Sequence, residues 1–341
     1  MMAKFTDIFE DVTKQGTKIP TNLYLETGMY PIIDQGQSQV AGYTNETEGV
    51  FTDIPAIIFG DHTRIIKYVD APCFLGADGV KLLKAKDPTA NYKYLYYALC
   101  NADIPNTGYN RHFKWLKEIE IPEYSTEEQN SVVSQLETID VLISLRKQQL
   151  SKLDQLVKSR FIELFGDYKT NSKGFDCKKG SELFKFSSGK FLPEEKRIGS
   201  GVPVYGGNGI AWYTEEALID FPTVVIGRVG AQCGNIHAVT TPVWITDNAI
   251  YIKEQKTTAY TLEFLTELMR MMDFYQYADF SGQPKITQKP LETLEYIMPP
   301  LELQKKYTAF VEQVDKSKLA LQKSLEKLET LKKALMQKYF G

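Results

Sequence analysis

The sequence predicts an α+β protein with two similar α/β domains, each followed by a long α-helix, and with the two helices packed as an antiparallel intramolecular coiled coil. The first observation behind this prediction is an internal repeat. The segment that begins at Gln129 recurs from Gln304 without a gap, at an offset of 175 residues, and both copies end in Phe-Gly, at Gly166 and Gly341. A repeat of this length in a chain of 341 residues indicates two similar halves. We expect domains at residues 1–124 and 167–298 and helices at residues 125–166 and 299–341.

The second observation is a heptad pattern in each copy, where apolar residues recur at alternating steps of three and four. Ser125 or Thr126 would cap the first helix. The predicted apolar stripe comprises Leu136, Ile139, Ile143, Leu150, Leu153 and Val157 in the first copy, and Val311, Val314, Leu321, Leu325, Leu328 and Leu335 in the second. A helix of roughly 38 residues is ~57 Å long, and a single stripe of that length needs a partner. The other copy in the same chain is the nearest partner; two separate homodimeric coiled coils are the alternative.

Composition supports a globular chain in a reducing compartment. Hydrophobic residues make up 43% of the chain and aromatic residues 12%, which is enough to fill two cores. The four cysteines lie far apart and do not cluster with the three histidines, which argues against a zinc site or a disulfide framework and fits the cytoplasm. No apolar run approaches the roughly 18 residues of a membrane span, so we expect no membrane association. Because the net charge is −3, any charge that binds nucleic acid must be local.

The two predicted domains share one order of elements. In the first domain, residues 54–60 predict a strand, residues 92–100 a helix and residues 118–122 a last strand. Residues 221–227 and 261–272 of the second domain correspond to the first of these strands and to the helix. The loop side chains differ strongly between the copies. One scaffold with two sets of loops suggests two related but distinct recognition tasks.

Several motifs give the chain a family resemblance. They are the junctions Met298-Pro299-Pro300-Leu301-Glu302-Leu303-Gln304 and Ile121-Pro122-Glu123, the loops Gly108-Tyr109-Asn110-Arg111-His112-Phe113 and Ser281-Gly282-Gln283-Pro284-Lys285-Ile286, and the run Thr246-Asp247-Asn248-Ala249. In their order across nearly the whole chain, these motifs resemble the DNA specificity subunit of type I restriction-modification enzymes. The first junction departs from the family pattern, since Glu123-Tyr124 stands in place of Pro-Leu.

The resemblance implies a mechanism and partners. Each domain would be a target-recognition domain that reads one half of a bipartite, asymmetric site in double-stranded DNA. The helix pair would set the gap between the half-sites and dock two modification (adenine methyltransferase) subunits, which use S-adenosylmethionine. Two restriction subunits, which use ATP and Mg, would join in turn. This chain itself would bind none of these cofactors. Its internal pseudo-symmetry would give two identical partners two equivalent surfaces.

We predict that the DNA contacts lie in two sets of loops. The candidates are His62, Thr63, Arg64, Tyr109, Asn110, Arg111, His112 and Lys114 in the first domain, and Arg228, Gln232, Ser281, Gln283, Lys285 and Thr287 in the second. Arg can bind guanine and Asn can bind adenine through two hydrogen bonds, and glycines around Arg228 would let the backbone approach a phosphate. Two alternatives stay open: Arg111 could be a surface ion-pair partner, and His112 could be a packed side chain.

Catalytic motifs are missing from the sequence. The single Pro-Pro pair, at Pro299, follows Met298 rather than the Asn or Asp of an adenine methyltransferase, and no Walker loop is present. We therefore expect a non-catalytic chain rather than a nuclease or methyltransferase. The alternatives are a stand-alone sequence-specific DNA-binding regulator and a coiled-coil scaffold without a DNA role. The net charge of −3 predicts weak DNA affinity for the chain outside its complex.

Overall fold

The computed structural model describes residues 1–76, 79–108 and 110–341. These residues form two compact units. The first unit comprises Met1–Lys147 and Lys323–Gly341, and the second comprises Gln148–Gln322. Each unit therefore contains one globular domain, the half of the long helix that follows it, and the far half of the other long helix.

The described residues of the first domain contain nine short strands, three short α-helices and two 3-10 turns (Thr13–Gln15 and Thr21–Leu23), followed by the first long helix. The strands are β1 (Met2–Lys4), β2 (Phe9–Asp11), β3 (Tyr30–Ile33), β4 (Gly42–Thr44), β5 (Ala56–Gly60), β6 (Ile66–Val69), β7 (Phe74–Leu75), β8 (Val80–Ala85) and β9 (Glu120–Pro122), and the helices are α1 (Phe5–Ile8), α2 (Tyr92–Cys100), α3 (Phe113–Leu116) and the long α4 (Thr126–Phe165). An antiparallel sheet has the order β2-β8-β5-β6, and a second sheet has the order β4-β3-β7. Strands β1 and β9 pair separately, so the two ends of the domain meet.

The second domain repeats this topology strand by strand. Its strands are β10 (Asp176–Lys179), β11 (Phe184–Ser188), β12 (Val202–Gly206), β13 (Gly209–Thr214), β14 (Thr223–Gly227), β15 (Ile236–Val239), β16 (Trp244–Ile245), β17 (Ala249–Gln255) and β18 (Glu295–Met298), and its helices are α5 (Gly180–Leu183), α6 (Leu262–Met271), α7 (Gln288–Thr293) and the long α8 (Leu301–Phe340). The sheet orders β11-β17-β14-β15, β13-β12-β16 and β10-β18 match those of the first domain. The predicted α+β fold with two repeated domains and long helices is confirmed.

Corresponding elements form for the same local reasons. Strands β5 and β14 are fully buried and lie inside their four-stranded sheets, as expected for short continuous apolar runs. Helix α2 is capped by Asn91, whose side chain accepts a hydrogen bond from the Tyr94 N–H. Thr261 caps α6 in the same way, by accepting from the Phe264 N–H. Such caps satisfy backbone donors that the first helical turn leaves open.

The long helices have 40 residues each, which makes each about 60 Å long at 1.5 Å per residue. Ser125 caps α4 in a reciprocal capping box: the Glu128 N–H donates to the Ser125 hydroxyl at 3.3 Å, and the Ser125 N–H donates to the Glu128 carboxylate at 3.0 Å. This arrangement satisfies two backbone donors that would otherwise lack partners.

Contacts within the first unit establish that the helices run antiparallel. Asp140 on α4 pairs with Lys332 on α8, whereas Arg146, further along α4, donates to the Ser324 hydroxyl at 3.2 Å. The partner on α8 thus moves backward as the position on α4 moves forward. Within the second unit, Lys318 on α8 forms an ion pair with Asp154 on α4 at 2.7 Å. These contacts join α4 and α8 of one chain, as predicted, and not two separate homodimeric coiled coils.

All twelve residues of the predicted apolar stripe are buried or half-buried. Some residues of the stripe also pack in the hydrophobic cores of the two units, which the heptad period did not indicate. Leu136 packs in the core of the first unit together with Met336 of α8. Val157 and Val314 pack in the core of the second unit. Each long helix therefore contributes to the core of both units as well as to the helix pair.

No helix among the described residues is both long enough and apolar enough to cross a membrane. The four cysteines are free thiols. Burial raises the pKa of the Cys73 thiol to about 11, so this cysteine is protonated near neutral pH.

Candidate nucleic-acid interface

The structure brings the two predicted contact loops of the first domain together. We call residues 61–64, which follow β5, and residues 106–112, which precede α3, the first loop pair. The His112 N–H donates to the Asp61 carbonyl at 2.8 Å, and the Phe113 N–H donates to the Asp61 carboxylate, also at 2.8 Å. His62 Nδ1 lies 3.2 Å from the Asn110 carbonyl oxygen. Tyr109, another predicted contact, lies outside the described residues.

The second domain joins its predicted loops by the same hydrogen bond. We call residues 228–235, which follow β14, and residues 279–287, which precede α7, the second loop pair. The Ile286 N–H donates to the Arg228 carbonyl at 2.9 Å, and the Gly230 N–H donates to the Pro284 carbonyl, also at 2.9 Å. The bond from Ile286 to Arg228 corresponds to the bond from His112 to Asp61. One backbone arrangement therefore supports both loop pairs.

The chain segment before β8 or β17 also has an equivalent role in both domains. The Asp61 N–H donates to the Gly79 carbonyl at 2.7 Å, and the Arg228 N–H donates to the Asn248 carbonyl at 2.9 Å. Asp61 after β5, and Arg228 after β14, are thus each held by hydrogen bonds through both the backbone N–H and the backbone carbonyl. Loops fixed in this way keep their shape while their outward side chains vary, which is the usual construction of a recognition surface.

His112 requires a correction to the predicted contact set. Its side chain is fully buried, at 0% exposure, and Ile286 at the equivalent position of the second domain is also at 0%. His112 Nδ1 lies 2.9 Å from the Asp61 carbonyl oxygen, and its ring lies 5.4 Å from the Trp115 ring. His112 therefore anchors the loop and presents no surface to DNA. The alternative of a packed side chain is the correct one.

Several other candidates use their side chains to shape the loops. Thr63 donates to the Gln35 carbonyl at 2.7 Å. Arg64 has a left-handed backbone, with φ of 62°, and donates to the Ile104 carbonyl at 3.0 Å. Arg228 donates to the Asp247 carbonyl at 3.2 Å. The side-chain amides of Asn110 and Gln232 bond to Thr107 and Asn235 respectively. These internal bonds hold the side chains in place and occupy part of their hydrogen-bonding capacity.

The remaining candidates point to solvent. They are Arg111, Lys114, Ser281, Gln283, Lys285 and Thr287, all of which are exposed. Arg111 and Lys285 occupy equivalent positions, since each directly precedes the buried residue that anchors its loop. The Lys114 ammonium lies 4.1 Å from the centre of the Trp115 ring, which orients it by a cation–π contact. The exposed set therefore has two basic side chains in the first domain and one, Lys285, in the second.

Asp61 is a site residue that the sequence analysis did not single out. It is buried, and its carbonyl and carboxylate oxygens accept the bonds that join the two parts of the first loop pair. In the second loop pair the Asp279 carboxylate has a comparable local task, because it accepts the Ser281 N–H at 2.8 Å. That backbone bond, with the Ser281 hydroxyl, lowers the pKa of Asp279. The position of Asp61 directly after an apolar strand was its only sequence indication.

Two copies of one scaffold, each with a loop pair on a shared backbone arrangement, define a two-domain repeat protein. Residues 1–155 and 172–333 match the family model described as type I restriction modification DNA specificity domain. The chain belongs to this family. Because the model matches once in each half, the family assignment covers both domains.

Individual relatives support the assignment to different extents. The specificity subunit of the type I restriction enzyme EcoprrI from Escherichia coli is 28% identical over 173 residues, which cover 50% of this chain and 42% of that protein. The match thus spans less than half of that relative. A Mycoplasma genitalium chain named as a type I specificity subunit is 23% identical over 355 residues, covering 96% of this chain and 90% of the relative.

A solved structure supports the fold. The crystal structure of the S subunit of a type I restriction-modification system from M. genitalium has a TM-score of 0.69 and 21% sequence identity to this chain. The superposition covers 100% of this chain and 96% of that one. At this level of identity, the similarity establishes a common architecture of two domains and long helices.

Proposed function

We propose that this chain is the DNA specificity subunit of a type I restriction-modification enzyme, in which each loop pair reads one half of a bipartite, asymmetric site in double-stranded DNA. The observation that carries this proposal is the same backbone hydrogen bond, from His112 to Asp61 and from Ile286 to Arg228, beneath different exposed side chains. Because the loop backbones are held in the same way but carry different exposed side chains, the two domains are expected to read half-sites of different sequence. Family membership of both halves supports the same conclusion.

Base reading is assigned to exposed side chains that have hydrogen-bonding capacity to spare. In the first domain this is Arg111, whose exposed guanidinium makes no hydrogen bond or ion pair with another described residue. A guanidinium suits the two acceptors of guanine in the major groove. In the second domain we assign base reading to Gln283, which is exposed two residues before Lys285, because its amide can bind adenine through two hydrogen bonds. Lys114 and Lys285 then neutralise phosphates, which contributes affinity rather than sequence preference.

The helix pair is the proposed docking surface for two modification subunits. In the first unit, Val141 and Leu145 on α4 are 58% and 47% exposed. In the second unit, Leu156 on α4 and Leu319 on α8 are 47% and 58% exposed. Large apolar side chains in such positions are typical of a surface that a partner covers. Since both units present them, two copies of one partner can bind.

The proposal assigns chemistry to the partners. Methyl transfer with S-adenosylmethionine belongs to the modification subunits, and ATP and Mg²⁺ chemistry belongs to two restriction subunits. This chain, in the cytoplasm, contributes recognition and no catalytic group of its own. The methyltransferase would thereby obtain its sequence specificity from a separate chain.

The test is a genome-wide map of methylated adenines in host cells with and without this gene. We expect deletion to abolish methylation at one gapped, two-part motif. Replacing residues 1–124 with the corresponding domain of a relative should then change one half of the motif and leave the other half unchanged. Identical maps, obtained while the modification subunit is expressed, would contradict the proposal and favour a stand-alone DNA-binding regulator.

A further inference from the structure

A further loop lies against the loop pair in each domain. We call residues 34–41, between β3 and β4, and residues 207–208, between β12 and β13, the third loops. In the first domain the Thr63 hydroxyl donates to the Gln35 carbonyl at 2.7 Å, and the His62 N–H donates to the Gln35 side-chain oxygen at 3.2 Å. Both donors belong to the first loop pair. This third loop is therefore hydrogen-bonded directly to predicted DNA contacts.

The second domain places its third loop at the equivalent position. Gly207 corresponds to Gln35, because each is the second residue after the last residue of its strand that pairs in parallel, Tyr205 or Ile33. A Cβ added at Gly207 would lie 3.8 Å from the Gln232 Cβ, which is ordinary van der Waals contact. Gln232 belongs to the second loop pair. In both domains the third loop thus lies against the loop that follows the central strand.

Lys67 and His237 hold the third loops from equivalent positions, since each is the second residue of its strand, β6 or β15. The Lys67 ammonium, on a side chain that is 2% exposed, donates to the Ser38 carbonyl at 2.5 Å and pairs with the Asp34 carboxylate at 3.4 Å. His237 Nε2 lies 3.4 Å from the Gly207 carbonyl oxygen. Buried charged groups need partners, so Lys67 fixes the loop that supplies them. The corresponding strand therefore supports the third loop in each domain.

The exposed side chains of the third loops differ between the domains. Gln37 and Ser38 are exposed in the first domain, and Asn208 is exposed in the second. Within the part of the chain that the structure describes, the side-chain amides of Gln37 and Asn208 have no hydrogen-bond partner. A primary amide carries two N–H donors and an acceptor oxygen, all of which are open to a ligand here. Equivalent supports with different exposed side chains are also what distinguishes the two loop pairs.

Asn208 lies at the tip of a tight hairpin. Gly206 pairs with Gly209 where β12 and β13 meet, so the turn between the strands consists of residues 207 and 208. Gly209 has φ of 91°, in the left-handed region that favours glycine. Because its neighbours on both sides are glycines, Asn208 carries the side chain that the turn presents, and no adjacent side chain holds a ligand away from it.

We propose that the third loops are further DNA contacts, and that Asn208 reads an adenine in the half-site of the second domain. The Asn208 amide donates to adenine N7 and accepts from the N6 amino group. The major groove, about 12 Å wide, admits a two-stranded β-ribbon, and β12 with β13 is such a ribbon with Asn208 at its end. Gln37 is the corresponding contact of the first domain. The inference rests on the proposed function, because it takes DNA as the ligand of the adjoining loop pairs.

The test compares DNA binding by the assembled enzyme with and without Asn208→Ala. Alanine fits this position, because Asn208 is exposed and its backbone is outside the left-handed region. In the duplex, 7-deazaadenine, which lacks the N7 acceptor, replaces one adenine at a time on either strand of the second half-site, except the methylated adenine. We expect one replacement to weaken binding by the unmodified enzyme at least five-fold and to have no effect on the variant. Gln255→Ala, which removes an exposed amide at the far end of β17, should leave binding unchanged.

Several outcomes would overturn the inference. They are an unchanged base preference of the Asn208→Ala enzyme, equal effects of 7-deazaadenine on both enzymes, a second half-site without a further adenine, and weaker binding of the variant to every sequence alike. Equal unfolding midpoints of the variant and the unmodified chain exclude a loss of fold as the cause. The methylation map separates this inference from the proposed function: a gapped motif that Asn208→Ala leaves intact contradicts the inference alone, whereas the absence of any motif contradicts the function.

Discussion

Gly227→Ala is the substitution that tests the construction of the second loop pair most directly. Gly227 ends the buried strand β14, and the loop begins with the next residue. A Cβ at this position would lie 2.1 Å from the Gln232 carbonyl oxygen and 2.9 Å from the Gly207 carbonyl oxygen. Ordinary contacts of a Cβ begin near 3.4 Å, so the 228–235 loop would have to move by about 1.3 Å. Both obstructing atoms are backbone atoms and cannot rotate away.

The displacement would affect recognition more than the fold as a whole. The Gly227 N–H donates to Asn235, and the adjacent Arg228 carbonyl accepts from Ile286 at 2.9 Å, so both bonds are strained by the same movement. Overpacking of this kind costs about 1–3 kcal/mol. We expect that loss in urea unfolding of the full chain, faster hydrogen exchange in β14 and β15, and a methylation motif degraded in one half only.

Gly282→Ala is the matched control. It lies in the same loop pair, but a Cβ there would have no atom within 4 Å, and its backbone is outside the left-handed region. The free energy of unfolding of the Gly282→Ala variant should differ from that of the unmodified chain by no more than about 0.5 kcal/mol. If Gly227→Ala behaved like Gly282→Ala in stability and in hydrogen exchange, the description of the loop as a tightly fixed support would be wrong.

Three further substitutions or treatments test other parts of the molecule. Phe161→Ala removes a fully buried ring from the core of the second unit and should cost about 3–5 kcal/mol in urea unfolding, whereas Leu156→Ala, exposed on the same helix, should cost far less; equal losses would contradict the core assignment. Arg111→Ala should weaken DNA binding of the assembled enzyme by about 1–3 kcal/mol in titrations and relax the base preference at one position of one half-site, without lowering the stability of the fold. An unchanged base preference would show that Arg111 does not read a base. Because burial raises the pKa of Cys73 to about 11 and so disfavours the thiolate, alkylation at pH 8 followed by mass spectrometry should label exposed Cys177 in the folded chain and Cys73 only after unfolding; early labelling of Cys73 would contradict its burial.

The extent to which the candidate site could be predicted differs from residue to residue. The loops themselves were predictable, because each stands between recognisable elements of a repeated order. The status of single side chains was not. His112 and Arg111 are neighbours in one polar loop, yet the first is fully buried and the second is exposed. What separates them is Asp61, about 50 positions earlier in the chain, which binds the backbone and ring of His112.

The long helices illustrate the same division. Periodicity predicted the stripe, and every predicted residue of it is buried or half-buried. Periodicity did not indicate that Leu136 packs in the core of the first unit, or that Val157 and Val314 pack in that of the second. A heptad pattern reports that one face of a helix is covered, and it carries no information about which surface covers it.

The amino-acid sequence by itself determined the repeated α+β architecture, the two long helices and the places where recognition loops stand. These features follow from properties read along the chain: an offset of 175 residues, a heptad period and apolar runs bounded by turns. Only the tertiary structure decided which loop side chains anchor the loops, as buried His112 does, and which point outward, as exposed Arg111 does. Burial and hydrogen bonding of a side chain depend on residues distant in sequence, and folding alone brings those residues together.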